Sequence, residues 1–137
     1  MGSYLQRRLS RHVEPQKIER AIEAAERGST GRINVSVAPH FWGDVRRAAE
    51  TAFSRRRLHQ TPDRNAVYFF VVPSRRQFAV LGDAGIHHRV GEEYWQRLAA
   101  SFAEHARTQG ISEALVDAIA DVGKRLSEHF PRTPERQ

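Results

Sequence analysis

Two apolar runs separated by a short polar segment constrain the fold of this chain more than any other feature. The first run, from Val67 to Val72, is uninterrupted and rich in β-branched and aromatic residues, which is typical of a strand buried on both faces. Residues 73–76 then turn the chain, and a second apolar run extends from Phe78 to Leu81. We therefore predict an antiparallel hairpin in a sheet that is covered on both sides.

The rest of the chain is predicted to form one more strand and the helices that cover the sheet. Ile33, Val35 and Val37 alternate with polar residues, which is the period of a strand with one covered face. Apolar residues at helical spacing, bounded by Gly and Pro, predict helices at about 15–27, 44–58, 90–107 and 111–130. The predicted fold class is α/β, a three-layer α/β/α sandwich with a small mixed sheet of three to four strands and about four helices.

Connection rules bring several polar segments to one end of this sheet. A strand, a crossover helix and a second strand in one sheet are normally parallel, so segments 33–37 and 67–72 should run the same way. The hairpin partner then runs back, and it carries Gly82-Asp83 to the end of the sheet where Thr30-Gly31 and the segment 63–65 lie. We expect these segments, together with His87-His88 just beyond the turn, to lie close together.

The side chains at this predicted edge suggest a ligand or metal site. Carboxylate and amide oxygens suit calcium or magnesium, whereas a guanidinium can bind a phosphate or carboxylate with two parallel hydrogen bonds. Backbone amides of the glycine turn could add a small anion nest, and a histidine could transfer a proton near neutral pH. The candidate ligand-binding residues are Arg64, Asn65, Gly82, Asp83, Gly85 and His87, and the candidate metal ligands are Asp63 and Asp83.

Each of these residues also has a purely structural interpretation. Asp83 between two glycines is equally typical of an Asx turn, and Asp63 after a proline is typical of a turn or a strand entry. Arg64 could form a surface ion pair, and His87 and His88 could be solvated loop residues because adjacent side chains point in different directions. The chain has no Walker-type loop, nucleophile elbow or HExxH motif.

Four aromatic residues outside the strands are predicted to belong to the core. Tyr94 and Trp95 fall on the apolar face of the third predicted helix. Phe41 and Trp42 follow the first strand, where they could cover the opposite end of the sheet or form a contact surface. We favour the covering role for both.

The formal net charge of +6 raises the alternative of a basic scaffold for nucleic acid or anionic lipid. The charge is almost entirely arginine, since Lys17 and Lys124 are the only lysines. Many of these arginines fall where a solvated helix face is expected in any case, as Arg47 and Arg57 do opposite Val45. We therefore predict no sequence-specific binding of nucleic acid.

Cysteine count and hydropathy exclude several classes of protein. Without cysteine the chain can form no disulfide, thiolate nucleophile, Cys-type zinc site or iron-sulfur cluster. It contains neither a signal peptide nor a transmembrane segment, so we expect a soluble, cytoplasmic protein. We predict a flexible basic segment at 1–13, a single domain at 14–131 and a disordered tail at 132–137.

Several separated motifs, in order, resemble those of one known family. They are Thr30-Gly31-x-Ile33-x-Val35, Arg64-Asn65, Phe78-Ala79-Val80-Leu81-Gly82-Asp83-x-Gly85-Ile86, Tyr94-Trp95 and His129-Phe130-Pro131. In these motifs the chain resembles a bacterial stand-alone TPM domain, the domain shared with a thylakoid acid phosphatase and a photosystem repair protein. The likeness covers about residues 18–131. Departures are Arg32 in place of an acidic residue, Ala66 in place of glycine, and Leu58-His59-Gln60 in place of Leu-Gly-Met.

The resemblance implies a domain of unassigned biochemistry and leaves three functions open. The first is a ligand- or cation-binding accessory module, with calcium or magnesium as the cation and a membrane-associated protein as its partner, through which the domain would be held at a membrane. The alternative is a metal-dependent acid phosphatase that hydrolyses phosphomonoesters, and the second alternative is the basic scaffold. Arg32 would oppose a cation at the predicted edge, so we place the accessory module ahead of the enzyme.

Overall fold

The computed structural model describes residues 13–132. Residues 1–12 and 133–137, which hold most of the predicted basic segment and of the predicted tail, lie outside the described residues. Val13, assigned above to the flexible segment, is buried in the core with an exposed fraction of 5%. At the other end, Arg132 donates hydrogen bonds to the carbonyl oxygens of Glu26 and Ser29.

The described residues form a three-stranded mixed sheet in the order β1-β2-β3. The strands are β1 Arg32–Val37, β2 Ala66–Val72 and β3 Gln77–Gly82. β1 and β2 are parallel, and β2 and β3 form an antiparallel hairpin across the short 3₁₀ turn Pro73–Arg75. The predicted strand directions and the predicted hairpin are therefore confirmed.

Five α-helices surround this sheet in the part of the chain that the structure describes. They are α1 Pro15–Arg27, α2 Val45–Arg55, α3 Ala84–Val90, α4 Glu92–Gln109 and α5 Ile111–His129. A second 3₁₀ turn, Leu58–Gln60, follows α2.

The helices differ from the prediction in two places. α3 is an additional short helix, because the glycine-flanked segment that reads as a turn is capped by Asp83, whose carboxylate accepts a hydrogen bond from the Ala84 amide. Gly91, with a φ of 85°, separates α3 from α4, so α4 begins at Glu92 rather than near 90. The second predicted helix is wrong beyond Arg55, because Arg57 adopts a left-handed conformation with a φ of 58°.

The sheet is covered on both faces, as predicted. Ile33, Val67 and Phe69 point into the larger core, which is shared with α1, α4 and α5. Tyr68 and Phe70 point into a smaller core beneath α2. All seven residues of β2 are buried, which explains its unbroken apolar sequence and establishes the three-layer α/β arrangement.

The aromatic predictions are confirmed for three of the four residues. Tyr94 and Trp95 are buried in the larger core. Phe41 covers the smaller core, where its ring meets Phe70 edge-on at a centroid distance of 5.6 Å. Trp42 does not cover the core, since it is 84% exposed.

Within residues 13–132, no helix combines the length and the apolar character needed to cross a bilayer.

Candidate functional site

The loops at the carboxyl end of β3 and the amino ends of β1 and β2 meet in a cluster of polar residues. We call Thr30, Asp63, Arg64, Asn65 and Asp83 the polar edge. The Thr30 hydroxyl donates to Asp63 Oδ2 at 2.6 Å and accepts from Asn65 Nδ2 at 3.0 Å. Residues that are 33 and 35 positions apart in sequence are thus joined, as the parallel strand arrangement predicts.

Arg64 and Asp83 form a paired contact inside the polar edge. Arg64 Nε donates to Asp83 Oδ2 at 2.8 Å, and Arg64 Nη2 donates to Asp83 Oδ1 at 3.0 Å. Asp83 Oδ1 also accepts the Ala84 amide at 2.8 Å. The hydrogen bonds from Asp83 and its negative charge raise the pKa of the Arg64 guanidinium. The two-pronged guanidinium that the sequence offers to a ligand is therefore used within the chain.

Asn65 holds the loop between residues 61 and 65. It is fully buried, its backbone amide donates to the Thr61 hydroxyl at 3.2 Å, and its side chain reaches Thr30. A buried amide that is satisfied in this way fixes the entry into β2.

The two motif glycines allow close packing of backbone and ring. A Cβ atom on Gly85 would lie 2.1 Å from the Asp63 carbonyl oxygen, and one on Gly82 would lie 2.3 Å from the Trp95 ring. The Gly85 amide donates to the Arg64 carbonyl oxygen at 2.7 Å, and Arg64 has a φ of 51°. Of the amides proposed as an anion nest, those of Asp83, Ala84 and Gly85 therefore already donate to groups of the chain.

His87 lies on α3 and contacts α4. Its Nδ1 atom accepts a hydrogen bond from Trp95 Nε1 at 3.0 Å, so Nδ1 carries no proton in this arrangement. Among the described residues, we find no hydrogen bond between the His87 side chain and the polar edge. His88 is exposed on the same helix.

The two predicted metal ligands have different partners. Asp63 accepts from Thr30, whereas Asp83 accepts from Arg64. Within residues 13–132, no three His, Cys, Asp or Glu side chains are grouped so that they could hold a metal ion. A cation at Asp83 would have to displace the Arg64 guanidinium, which already neutralises that carboxylate.

A second group of polar residues was only partly predicted. Arg32, Asn34 and Arg57 line a cavity of about 430 Å³ next to Thr30, and we call these three residues the arginine pocket. Among the described residues, neither arginine forms an ion pair with an acidic side chain. Glu26 also lines the cavity, but its Oε2 atom accepts the Ile33 amide at 2.7 Å.

The sequence signals for this pocket were present but incomplete. Arg32 is on the face of β1 opposite Ile33, as the alternating pattern indicates. Arg57 was assigned to a solvated helix face, but the helix ends before it and the left-handed turn places it beside Arg32 at the cavity. The three consecutive arginines before Leu58 do not indicate a left-handed turn at this position.

Solved structures share this fold at low sequence identity. The NMR structure of BA42 protein from the psychrophilic bacterium Bizionia argentinensis has a TM-score of 0.82 and 24% identity, and the match covers 93% of this chain and 90% of that one. The N-terminal domain of cg2496 protein from Corynebacterium glutamicum has a TM-score of 0.65, with 14% identity over 86% of this chain and 74% of that one. The N-terminal domain of a P. gingivalis protein has a TM-score of 0.69, with 14% identity over 87% of this chain and 79% of that one.

Comparison of the sequence itself with known proteins gives a family. No curated protein matches the sequence significantly. The sequence model of the TPM domain, however, matches residues 7–125, which is most of the chain and includes both the polar edge and the arginine pocket. This chain therefore belongs to the TPM domain family.

Proposed function

We propose that this TPM domain is a non-catalytic ligand-binding module and that its ligand is an anion held in the arginine pocket. The observation that carries the proposal is the presence of two guanidinium groups, of Arg32 and Arg57, at one cavity without an acidic partner among the described residues. The polar edge next to the cavity holds the surrounding loops in place and does not bind the ligand itself.

The chemistry of the pocket favours a phosphate or carboxylate group. Arginine presents several donors in a planar fork that matches both oxyanions. Asn34, on the same face of β1 as Arg32, adds a half-buried amide that makes no hydrogen bond within the described chain. These groups supply donors from two directions, β1 and the end of α2.

Both guanidinium groups are exposed, which sets the expected strength of binding. A single exposed ion pair contributes only about 0–1 kcal/mol, because water and salt screen it. Two arginines on one oxyanion give more than one, since both guanidinium groups act on the same ligand charge. We expect binding that is modest and weakens as salt is added.

Titration with inorganic phosphate tests this proposal. Amide resonances of residues 32–34 and 57–60 should shift in wild type, and Arg32→Gln and Arg57→Gln should each weaken binding by about threefold, as expected for the loss of one exposed ion pair. Arg47→Gln is the matched control, because Arg47 is exposed on α2 outside the pocket and its removal lowers the net charge equally. If all three variants bound phosphate equally weakly, the cause would be the lower net charge and not the arginine pocket, and this would contradict the proposal.

The acid phosphatase alternative requires a cation that polarises the phosphoryl oxygen. Its proposed ligands, Asp63 and Asp83, each already accept a hydrogen bond within the polar edge, which supports the non-catalytic module. We expect no hydrolysis of p-nitrophenyl phosphate above the buffer rate in calcium or magnesium. Turnover that is lost in Asp83→Asn would establish the enzyme instead.

The calcium or magnesium site at Asp63 and Asp83 stays a prediction. Asp83→Asn keeps the shape of the side chain and one acceptor oxygen for the Ala84 amide, but it removes the charge that holds a hard cation. Calorimetric titration of both ions into wild type and Asp83→Asn checks the site. A heat of binding that is measured with wild type and is lost in the variant would establish the site. No heat of binding to wild type at millimolar calcium or magnesium would exclude it.

A further inference from the structure

The outer edge of β3 has hydrogen-bonding groups that no other strand satisfies. β3 is an edge strand, and the Asp83 amide donates to the Ala66 carbonyl oxygen at 2.9 Å. In an antiparallel pair such bonds alternate, so the amides and carbonyls of Phe78, Val80 and Gly82 point away from β2. None of these outward groups has a hydrogen-bond partner among the described residues.

This edge lacks the features within the strand that usually prevent pairing with another chain. Exposed edge strands are normally interrupted by a charged residue, a proline or a bulge. β3 has the sequence Gln-Phe-Ala-Val-Leu-Gly and pairs with β2 over six consecutive positions without a bulge. An open edge of this kind either promotes aggregation or binds a partner strand.

The edge lies in a groove rather than on a flat surface. The cavity along it has a volume of about 630 Å³ and is bounded by Trp95, Ala99 and Phe102 of α4 on one side and by the first residues of α2 on the other. The Phe78 ring stacks on Phe102 at a centroid distance of 3.9 Å, so the α4 wall is apolar at this point, and Glu92 and Gln96 of the same helix add polar groups. A helix on each side suits one extended chain better than the broad edge of a second sheet.

Charged residues line both ends of the groove, and arginines outnumber the single acidic residue, Asp44, at the hairpin end. Trp95 packs over Gly82 and Phe102 packs on Phe78, so α4 runs antiparallel to β3 and its first residue, Glu92, lies toward the Gly82 end. Arg75 and Arg76 lie at the hairpin end. Arg46 also lines the groove, near Asp44.

We propose that this groove binds an extended segment of a partner protein, which adds to β3 as a fourth strand. The segment has apolar residues at alternate positions, facing Trp95, Ala99 and Phe102, and an acidic end that lies at Arg76. Arg76 has no acidic partner among the described residues, whereas Arg75 is held by the carbonyl oxygens of Phe41 and Gly43.

The exposed Trp42 extends this surface beyond the groove. It lies between Phe41 and Gly43, whose carbonyl oxygens both accept hydrogen bonds from Arg75 Nη1. Trp42 is 84% exposed and does not line the groove itself, so it reports on the neighbouring loop when the groove is occupied. This site uses the opposite edge of the sheet from the arginine pocket and does not depend on it.

A short peptide provides the probe, acetyl-Thr-Val-Thr-Val-Thr-Asp-Asp-amide, titrated into the protein of residues 1–137. We expect shifts and slower hydrogen exchange at the amides of Phe78, Val80 and Gly82. The fluorescence of Trp42 and Trp95, the two tryptophans of the chain, should also change. A version ending in Asn-Asn should bind about threefold more weakly, because it lacks the charge that Arg76 attracts.

Methylation of alternate peptide amides tests strand pairing directly. Methyl groups on the set that faces β3 should abolish binding, and methyl groups on the other set should leave it nearly unchanged. Equal binding of both versions would show apolar adhesion without strand addition and overturn the proposal.

Two variants of α4 test the location. Ala99→Gln places a larger neutral side chain in the groove and should weaken binding by about tenfold or more, equivalent to the loss of a hydrogen bond. Ala100→Gln is the control, since Ala100 is exposed on the same helix and outside the groove. The proposal would be overturned if the β3 amide resonances did not shift at millimolar peptide. It would also be overturned if the β3 amides were protected from hydrogen exchange only because the protein self-associates.

Discussion

At the scale of single residues, the polar edge is a joint that fixes one loop to the start of α3. Gly85 approaches the carbonyl oxygens of Asp63 and Arg64 so closely that no Cβ atom fits between them. Asp83 caps α3 and at the same time binds Arg64 from the neighbouring loop. The Gly-Asp-x-Gly motif is therefore explained by packing and capping before any ligand is considered.

Gly85→Ala is expected to destabilise the protein by about 2 kcal/mol. In the exposed interior of a helix, the change from glycine to alanine would stabilise the protein by up to about 1 kcal/mol. Here the new methyl group forces α3 away from the backbone of Asp63 and Arg64, and such overpacking typically costs about 1–3 kcal/mol. It also strains the 2.7 Å hydrogen bond from the Gly85 amide to Arg64. Urea unfolding at neutral pH measures the loss.

Gly110→Ala is the control for this substitution. Gly110 has a φ of 96° and open space at the Cβ position, so only its backbone conformation opposes the change, and we expect a loss of about 1 kcal/mol. A Gly85→Ala variant as stable as wild type would refute the packing explanation.

The residues of the polar edge could be predicted from sequence, but their roles could not. Strand order follows from general connection rules, and it correctly brought Thr30, Asp63 and Asp83 to one end of the sheet. Whether Asp83 faces a ligand or Arg64 depends on side-chain directions within a few ångströms, which the sequence pattern does not encode. Arg57 was missed because its position follows from a helix that ends one turn early.

At the scale of elements, long periodic segments were predictable and short ones were not. β2 and α5 were correct nearly to the residue, because burial imposes a clear apolar pattern on them. The seven-residue helix α3 was missed, since a segment of that length has barely two turns, contains Gly85 as its second residue and shows no apolar stripe. Its formation depends on the Asp83 cap and on packing against α4, which are tertiary effects.

The contact between α4 and α5 makes stability depend on alkaline pH. Tyr94 on α4 donates to Asp121 Oδ2 on α5 at 2.5 Å. Burial, and then the hydrogen bond to Asp121, raise the pKa of Tyr94 well above its ordinary value. The folded protein therefore keeps this proton more firmly than the unfolded chain does. The resulting stability is complete below about pH 10, the pKa of an unperturbed tyrosine, and is lost as the pH rises further.

Tyr94→Phe should remove this dependence. At neutral pH the variant loses the hydrogen bond and about 1 kcal/mol of stability, while its loss of stability above about pH 10 should be smaller than that of wild type. Urea unfolding of both proteins from neutral pH to pH ~11 checks the prediction. A difference between the two proteins that stays constant across this range would contradict it.

At the scale of the whole molecule, the two edges of the sheet have opposite character. The β1 edge is next to a cationic cavity, whereas the β3 edge offers unpaired backbone groups in an apolar groove. The two proposed sites, on separate edges, would let the domain hold an anion and a protein segment together. The membrane-associated partner suggested by the resemblance stays a prediction, and the β3 groove is the surface on which it should be sought.

We expect any binding of nucleic acid to be independent of sequence and sensitive to salt. The arginines of α2, among them Arg46 and Arg55, are exposed on a helix face without interleaved aromatic residues that could stack on bases. Titration of unrelated DNA duplexes at low and physiological salt measures this. A preference for one sequence that persists at physiological salt would contradict the prediction and favour the basic scaffold.

The pairing of α1 with α5 has a consequence for how fast this protein folds and unfolds. The Glu14 amide donates to the Ser112 hydroxyl across 98 positions of sequence, and a bridge joins Ser29 to Pro131 at the other end of the two helices. Closing so large a loop is entropically slow, so these contacts should form after the folding barrier is crossed. Gly123→Ala, which presses a methyl group onto Ala25 at 2.7 Å, should speed unfolding and leave the folding rate nearly unchanged. In stopped-flow measurements, a folding rate that falls as much as stability does would place this helix pair in the folding nucleus instead.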